Sequence, residues 1–356
     1  MRAFSCDHCR SLIVFENSLC VTCGSALGFD REQSELVVET STPQGLRYTR
    51  GDGTVLLPCA NLDLASCNWL AVDGAPDGLC SGCLLTRTRP ANDDPAGLLT
   101  FAAAETAKRR LVYQLDVLGL PTTPRSVDPA HGLAFDLLSS AQGSVITGHD
   151  SGLITIDLAE GNDSHRAAMR LSLAEPYRTL LGHLRHEVGH WYWDVLIDGS
   201  NWLNGFREFF GDERLDYSAA LGQHYDGRPN DTGWANRYVS KYASSHPWED
   251  WAETFAHYLH IRDTIETMAS YRVRVDGPPL DLATSYNTPV AADPERRGVS
   301  FDNLISSWLP MTFALNAINR SMGESDLYPF VLAPQVLTKL RFVHDRITAL
   351  AGTPQS

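Results

Sequence analysis

No cysteine follows Cys83 in this 356-residue chain, although eight occur up to that point. Everything downstream must therefore fold around an apolar core, without disulfides or thiolate metal sites. Cations are also in short supply: 29 Lys and Arg stand against 43 Asp and Glu, leaving a formal net charge of −14. No dense basic patch accompanies the cysteines, which argues against nucleic acid as a partner. Nor does any apolar run reach the roughly 18 residues that a membrane-spanning helix requires, and there is no internal repeat or low-complexity tract. Met1–Arg10 has no apolar signal core, so the expectation is a cytoplasmic protein with reduced thiols rather than a secreted one with disulfides.

The cysteines read Cys6-x-x-Cys9, Cys20-x-x-Cys23, Cys59-x7-Cys67 and Cys80-x-x-Cys83. Eight thiols suffice for two closed four-cysteine sites, and Zn²⁺ is the usual occupant of paired knuckles of this kind. Cys6, Cys9, Cys20 and Cys23 make the cleaner ribbon, with Arg10–Leu19 as a candidate β-hairpin; Cys59, Cys67, Cys80 and Cys83 make the second. Spacing alone also admits pairing between the halves, an iron–sulfur cluster or a rubredoxin-like iron site. Residues 1–85 are rich in turns and poor in apolar periodicity, so metal binding is expected to supply much of their stability. A protein partner docking on the ribbon, or plain scaffolding, suits this region better than nucleic-acid binding.

The sharpest signal is His186-Glu187-Val188-Gly189-His190. On a helix, histidines four apart project from one face and can reach one Zn²⁺, while Glu187 lies beside them to take a proton from a metal-activated water. The bland alternative is a chance run of letters on a structural helix. The surrounding Glu175–Leu196 reads as one long helix with Pro176 near its start. Leu180, Leu181, Leu184, Val188, Trp191 and Val195 form a core-facing stripe, whereas His183, His186, Glu187, His190 and Asp194 fall on another face. Upstream, Ser144–Leu158 reads as a strand or hairpin whose edge could take an extended peptide.

Two histidines leave a catalytic zinc one protein ligand short. In Tyr242–His260, Pro247 can start a helix after Ser244-Ser245-His246, and Glu249, Glu253 and His257 then stack at four-residue intervals. One carboxylate can ligate while the next holds a ligating imidazole through its second nitrogen. A solvated charged face is the alternative, but Trp248, Trp251, Ala252, Phe255 and Tyr258 surround these carboxylates with apolar bulk. Asp212, Glu213 and Asp216 are further acidic candidates, as a ligand or as partners of the zinc histidines or of Arg207 and Arg214.

At these residues the chain resembles the gluzincin metallopeptidases, which combine H-E-x-x-H with a distant glutamate. Tyr242-Ala243, Pro247, Glu249, Trp251 and Ala252 follow a Tyr-Ala…Pro-x-Glu-x-aromatic-Ala pattern similar to that of the Mlc titration factor and anthrax lethal factor peptidases. That resemblance implies Glu249 as the third zinc ligand and Tyr242 as a hydrogen-bond donor to the transition state. Over longer stretches, EPYRTLLGHLRHEVGHWYWD, FGDERLDYSAALGQHY and HPWEDWAETFAHYLHIRDTIET resemble a bacterial family of zinc-binding metallopeptidases with an N-terminal zinc ribbon. The likeness covers nearly the whole chain. It implies an enzyme acting on a peptide or protein substrate, with one catalytic and two structural zinc ions.

The expected fold is α+β: a β-rich zinc-ribbon domain over residues 1–90, then a zincin-like metallopeptidase domain over residues 97–356 with a twisted sheet and several helices. Thr86–Gly97, with its two prolines, marks the boundary. Leu98–Leu118 reads as a helix with Leu99, Ala102, Ala103, Thr106, Arg110, Tyr113 and Val117 at helical steps. Phe301–Met322, broken or kinked at Pro310, and Pro334–Leu350 read as amphipathic helices. The competing class is a non-catalytic zinc protein whose ribbons recruit a partner. Glu187 discriminates between them, because structural zinc needs no general base beside its ligands.

Overall fold

The computed structural model describes residues 2–140, 143–162, 179–226, 233–275 and 299–351. The architecture is α+β, with 47% helix and 16% strand among the described residues. Packing divides the chain into two compact units, Met1–Asp116 with Pro121–Ser172, and Val117–Leu120 with Leu173–Ser356. No helix among the described residues is long and apolar enough to cross a membrane.

In the first unit, Phe4–Ser5 pairs antiparallel with Leu12–Ile13 across the Cys6-x-x-Cys9 turn. The hairpin thus closes around the knuckle, and Arg10–Leu19 forms none of its own. Inside the turn, Cys6 N–H donates to Ser11 O and Arg10 N–H to Cys6 O, with Arg10 left-handed at φ 62°. The second knuckle repeats this: Cys20 N–H donates to Ser25 O and Gly24 N–H to Cys20 O, with Gly24 at φ 74°. Gly24 takes that conformation freely, whereas at Arg10 it costs about 1–2 kcal/mol.

A hairpin of Leu27–Asp30 and Glu35–Val38 follows, then an antiparallel meander of Thr40–Thr42, Gly45–Thr49, Val55–Pro58 and Leu70–Val72. The short helix Leu62–Ala65 carries the chain from Cys59 to Cys67. Aromatic packing supplies the core that the weak periodicity hid: the Phe15 and Phe29 ring centroids lie 4.9 Å apart, Phe29 and Trp69 5.2 Å, and Phe15 and Tyr113 5.0 Å.

Tyr113 comes from the helix Pro95–Leu118, whose buried residues include Phe101, Ala104, Leu111, Val112 and Leu115. Of the residues named at helical steps, Leu99 is exposed and Tyr113 is buried, so they do not share one environment. Two charged residues sit in the core face: Glu105 and Lys108 are fully buried, with Lys108 Nζ 2.6 Å from Glu105 Oε1. The Thr86 hydroxyl donates to Glu105, and Arg109 Nη1 lies 3.8 Å from Glu105 Oε2. Lys108→Ala is expected to destabilise this unit by about 3 kcal/mol in urea unfolding, near the low end for a broken buried pair because Arg109 remains. The double variant Lys108→Met/Glu105→Met should lose much less. An equal loss in both would show that the charge pairing is immaterial.

Thr86–Thr88, Ala134–Leu138 and Leu153–Asp157 run parallel in one sheet, and Gly148–Asp150 returns antiparallel on Leu153–Asp157, forming the hairpin expected there. The sheet expected for the metallopeptidase region therefore clusters with the cysteine unit, because its strand Thr86–Thr88 directly continues the Cys83–Leu85 turn. Among the described residues the second unit has no strand.

The second unit is built on two helices. The motif helix, Leu180–Leu196, is capped by Thr179, which is extended at φ −126° and accepts from Gly182 N–H through its hydroxyl at 2.9 Å. That cap starts the helix at Leu180 rather than Glu175; Glu175 and Pro176 lie outside the described residues. Leu184, Val188, Trp191, Tyr192 and Leu196 are buried, while Val195 of the expected stripe is 38% exposed. The glutamate helix, Pro247–Ser270, begins with Pro247 as expected and is capped by His246, whose Nδ1 accepts from Trp248 N–H at 3.1 Å.

Small residues let these helices approach: a Cβ on Gly189 would lie 3.1 Å from Ala252 Cα and 3.2 Å from Ala252 O. Beside that contact, Trp251 Nε1–H donates to Gly189 O at 2.9 Å and the Tyr192 and Phe255 rings stack at 5.2 Å. The helix Phe301–Ser321 continues through Pro310, held on both sides by buried Leu304, Ile305, Trp308 and Met311. Pro334–Ala351 is tied to the glutamate helix through Lys339 Nζ, 2.6 Å from Asp250 Oδ2.

Candidate active site

Because Gly189 meets Ala252, the glutamate one turn before Ala252 faces the two histidines flanking Gly189. His186 Nε2 and His190 Nε2 lie 3.1 Å apart, and Glu249 Oε2 lies 3.0 Å and 3.4 Å from them respectively. Tetrahedral zinc with bonds of about 2.0–2.1 Å separates its ligand atoms by about 3.4 Å, so the three donors fit around one ion. Their chemistry fits as well, since two imidazole nitrogens and a carboxylate oxygen converge with little water and need a cation between them. Burial opposes a charged His186, but Glu249 and Glu253 outweigh it and hold the imidazole well above its usual pKa. Burial would likewise raise Glu249, yet His190 and His186 draw it well below the carboxylate range.

Glu253, one turn further on, addresses the other face of the same ring. Its Oε1 lies 2.7 Å from His186 Nδ1, and its Oε2 accepts from the Ser240 hydroxyl at 2.6 Å. Burial acts to raise this carboxyl, but the bond to His186 outweighs it and brings it down to about 2. His257, the third member of the stack, is pushed down to about 4 by burial; its Nδ1 lies 2.7 Å from the Tyr328 hydroxyl, away from the donor set.

Glu187 is only 9% exposed, and burial raises its pKa despite the histidines. Such a carboxylate is a better base than a solvated one. Tyr242 opens a single turn of 3₁₀ helix, with its ring centroid 5.8 Å from that of His186. The Trp248 ring lies 4.2 Å from that of His190.

The acidic residues between the two helices are engaged elsewhere. Asp212 Oδ2 lies 2.8 Å from Arg214 Nη2, Glu213 accepts from Arg207 Nε–H at 2.9 Å, and Asp216 Oδ1 accepts from Ala219 N–H at 2.9 Å. Nearby arginines and a helix start have taken up these carboxylates, so Asp212 and Glu213 do not serve the histidines as partners. The residue of this stretch that does reach the site is Tyr217, whose hydroxyl donates to Glu249 Oε1 at 2.5 Å. Burial and the charge of Glu249 raise its pKa, keeping it a protonated donor. No local spacing in the sequence marks either Tyr217 or Ser240 as part of the site.

The cysteines gather in two quartets, each with its sulfurs within 4.8 Å of one another: Cys6, Cys9, Cys20 and Cys23, and Cys59, Cys67, Cys80 and Cys83. Neighbouring sulfurs lie 3.6 Å apart for Cys9 and Cys20, 3.8 Å for Cys6 and Cys23, and 3.7 Å for Cys67 and Cys80. Tetrahedral Zn–S bonds of about 2.3 Å give about 3.8 Å between sulfurs, whereas a disulfide needs about 2.05 Å. The halves of the region therefore do not exchange partners. Cys23 is exposed in the first quartet, and the second is buried throughout.

Two cysteine quartets ahead of an H-E-x-x-H pair joined by a glutamate make this a zinc-ribbon protein of the metallopeptidase type. The chain belongs to the family described as "Putative zinc-binding metallo-peptidase", whose model matches residues 98–346; a zinc-ribbon domain model matches residues 3–94. It is 49% identical over 352 residues to uncharacterized proteins of Mycobacterium tuberculosis and Mycobacterium bovis, covering 99% of this chain and 96% of each relative. No solved structure matches it.

Proposed function

We propose that this protein is a zinc-dependent metallopeptidase that hydrolyses peptide bonds with Glu187 as general base. The observation that carries the reading is a nearly sealed carboxylate with a raised pKa, next to a set of three convergent donors, the number with which catalytic zinc keeps a fourth position for water or substrate. A purely structural site has no use for such a base. Held by His186, His190 and Glu249, zinc would supply a Lewis acid that polarises the scissile carbonyl and acidifies water. Glu187 takes the proton as water attacks and returns it to the leaving amine. Tyr242 donates a hydrogen bond to the developing oxyanion. Glu253 accepts the Nδ1 proton of His186, which leaves the Nε2 lone pair facing the other donors, and Ser240 fixes Glu253 in turn. The two cysteine quartets hold structural zinc.

Incubation of the zinc-loaded protein with a mixed peptide library is expected to produce new peptide termini by mass spectrometry, and chelation is expected to stop it. A full metal complement with no cleavage would leave the non-catalytic class standing. Zinc titration separates the two glutamates. Glu249→Ala should lose most affinity at the His186 site, whereas Glu253→Ala should weaken it roughly 10–100-fold. The reverse order would place the ligand one helical turn later.

A further inference from the structure

We infer that Tyr217 is a positioning residue for Glu249: its hydroxyl engages Oε1 so that the carboxylate presents Oε2 alone to the metal. The inference rests on the metallopeptidase reading and adds a residue for which neither the motifs nor the resemblance supplies a role. A glutamate can bind zinc through one oxygen or through both. The two-oxygen mode crowds the position that water and the substrate carbonyl must use.

The two oxygens of Glu249 have distinct surroundings. Oε2 lies 3.0 Å and 3.4 Å from the histidine Nε2 atoms, while Oε1 accepts from Tyr217 at 2.5 Å. Glu249 is 1% exposed, so bulk water does not compete for Oε1. A charge-assisted bond of this kind is among the stronger ones a carboxylate can accept.

Tyr217 is also held where it can act. It opens the helix Tyr217–Asp226, whose first turn is fixed by Asp216 accepting from Ala219 N–H. Its ring meets His246 edge-on at 5.3 Å and Trp248 at 6.0 Å. Those two residues flank Pro247 at the start of the glutamate helix, so the donor and its acceptor share one support.

Cobalt(II) titration of the full chain, with both cysteine quartets kept zinc-loaded, tests this, because four-coordinate cobalt(II) absorbs visible light more strongly than the five-coordinate ion. Tyr217→Phe is expected to bind cobalt roughly 10–100-fold more weakly than wild type, with a weaker visible band as Glu249 turns to two-oxygen binding. Unchanged affinity and spectrum in Tyr217→Phe would overturn the assignment, and so would a metal-free Tyr217→Phe protein that melts far below metal-free wild type, since Tyr217 would then serve the fold. Wild type that takes up no cobalt at His186 and His190 would overturn the metallopeptidase reading itself, and this inference with it.

Discussion

Glu187→Gln is expected to lower kcat/KM for peptide hydrolysis by at least about 10²- to 10⁴-fold, with zinc content and melting temperature close to wild type. The amide is nearly the same size as the carboxylate, so it fits the same enclosed place. It cannot take up the proton, which is the one thing the mechanism asks of this residue. His186→Ala gives the contrasting pattern: one of the three donors is gone, Glu249 and Glu253 lose their shared partner, and the metal itself is lost. Parallel measurement of activity and bound zinc separates loss of the base from loss of the ion. Full activity in Glu187→Gln, on a substrate that wild type cleaves, would remove Glu187 from the chemistry.

Metal loss at the cysteine quartets should have the larger structural effect. Structural zinc contributes about 10–16 kcal/mol in small zinc-binding peptides, comparable to or above the whole net stability of a typical domain, about 5–15 kcal/mol. Cys67→Ala is therefore expected to unfold the region around its quartet, seen as lost β signal in circular dichroism and rapid proteolysis before residue 90. Elemental analysis should fall from about three zinc ions per chain to about two. Chelators should empty the first quartet ahead of the second, because Cys23 is exposed while Cys59, Cys67, Cys80 and Cys83 are all buried. A wild-type content of about one zinc, with the thiols oxidised, would defeat the ribbon assignment.

What could be read from the residues alone followed the range of the interaction. His186, Glu187 and His190 lie within a single helical turn, so their spacing already expressed their geometry. Glu249 and Glu253 also share a helix face, and residue spacing could not rank them; the resemblance did, through Tyr242 and Pro247. Tyr217 meets Glu249 across 32 positions of sequence, and a hydroxyl reaching a distant carboxylate imposes no period on the chain between. For Asp212 and Glu213 the spacing allowed either the zinc histidines or Arg207 and Arg214 as partners, and the arginines hold them. The helix Pro95–Leu118 was legible as a helix, but its buried ion pair was not: Glu105 and Lys108, three positions apart, have the spacing of an ordinary exposed pair, yet neutralise each other inside the core.

The close contact at Gly189 also decides which donor atoms meet. Helix separation there is limited by backbone, with no side chain to act as a spacer, and it brings three donor atoms within 3.0–3.4 Å of one another. Calcium surrounds itself with six to eight oxygens, whereas two of the three donors here are imidazole nitrogens, so the absence of a single methyl group helps to assemble a donor set suited to zinc.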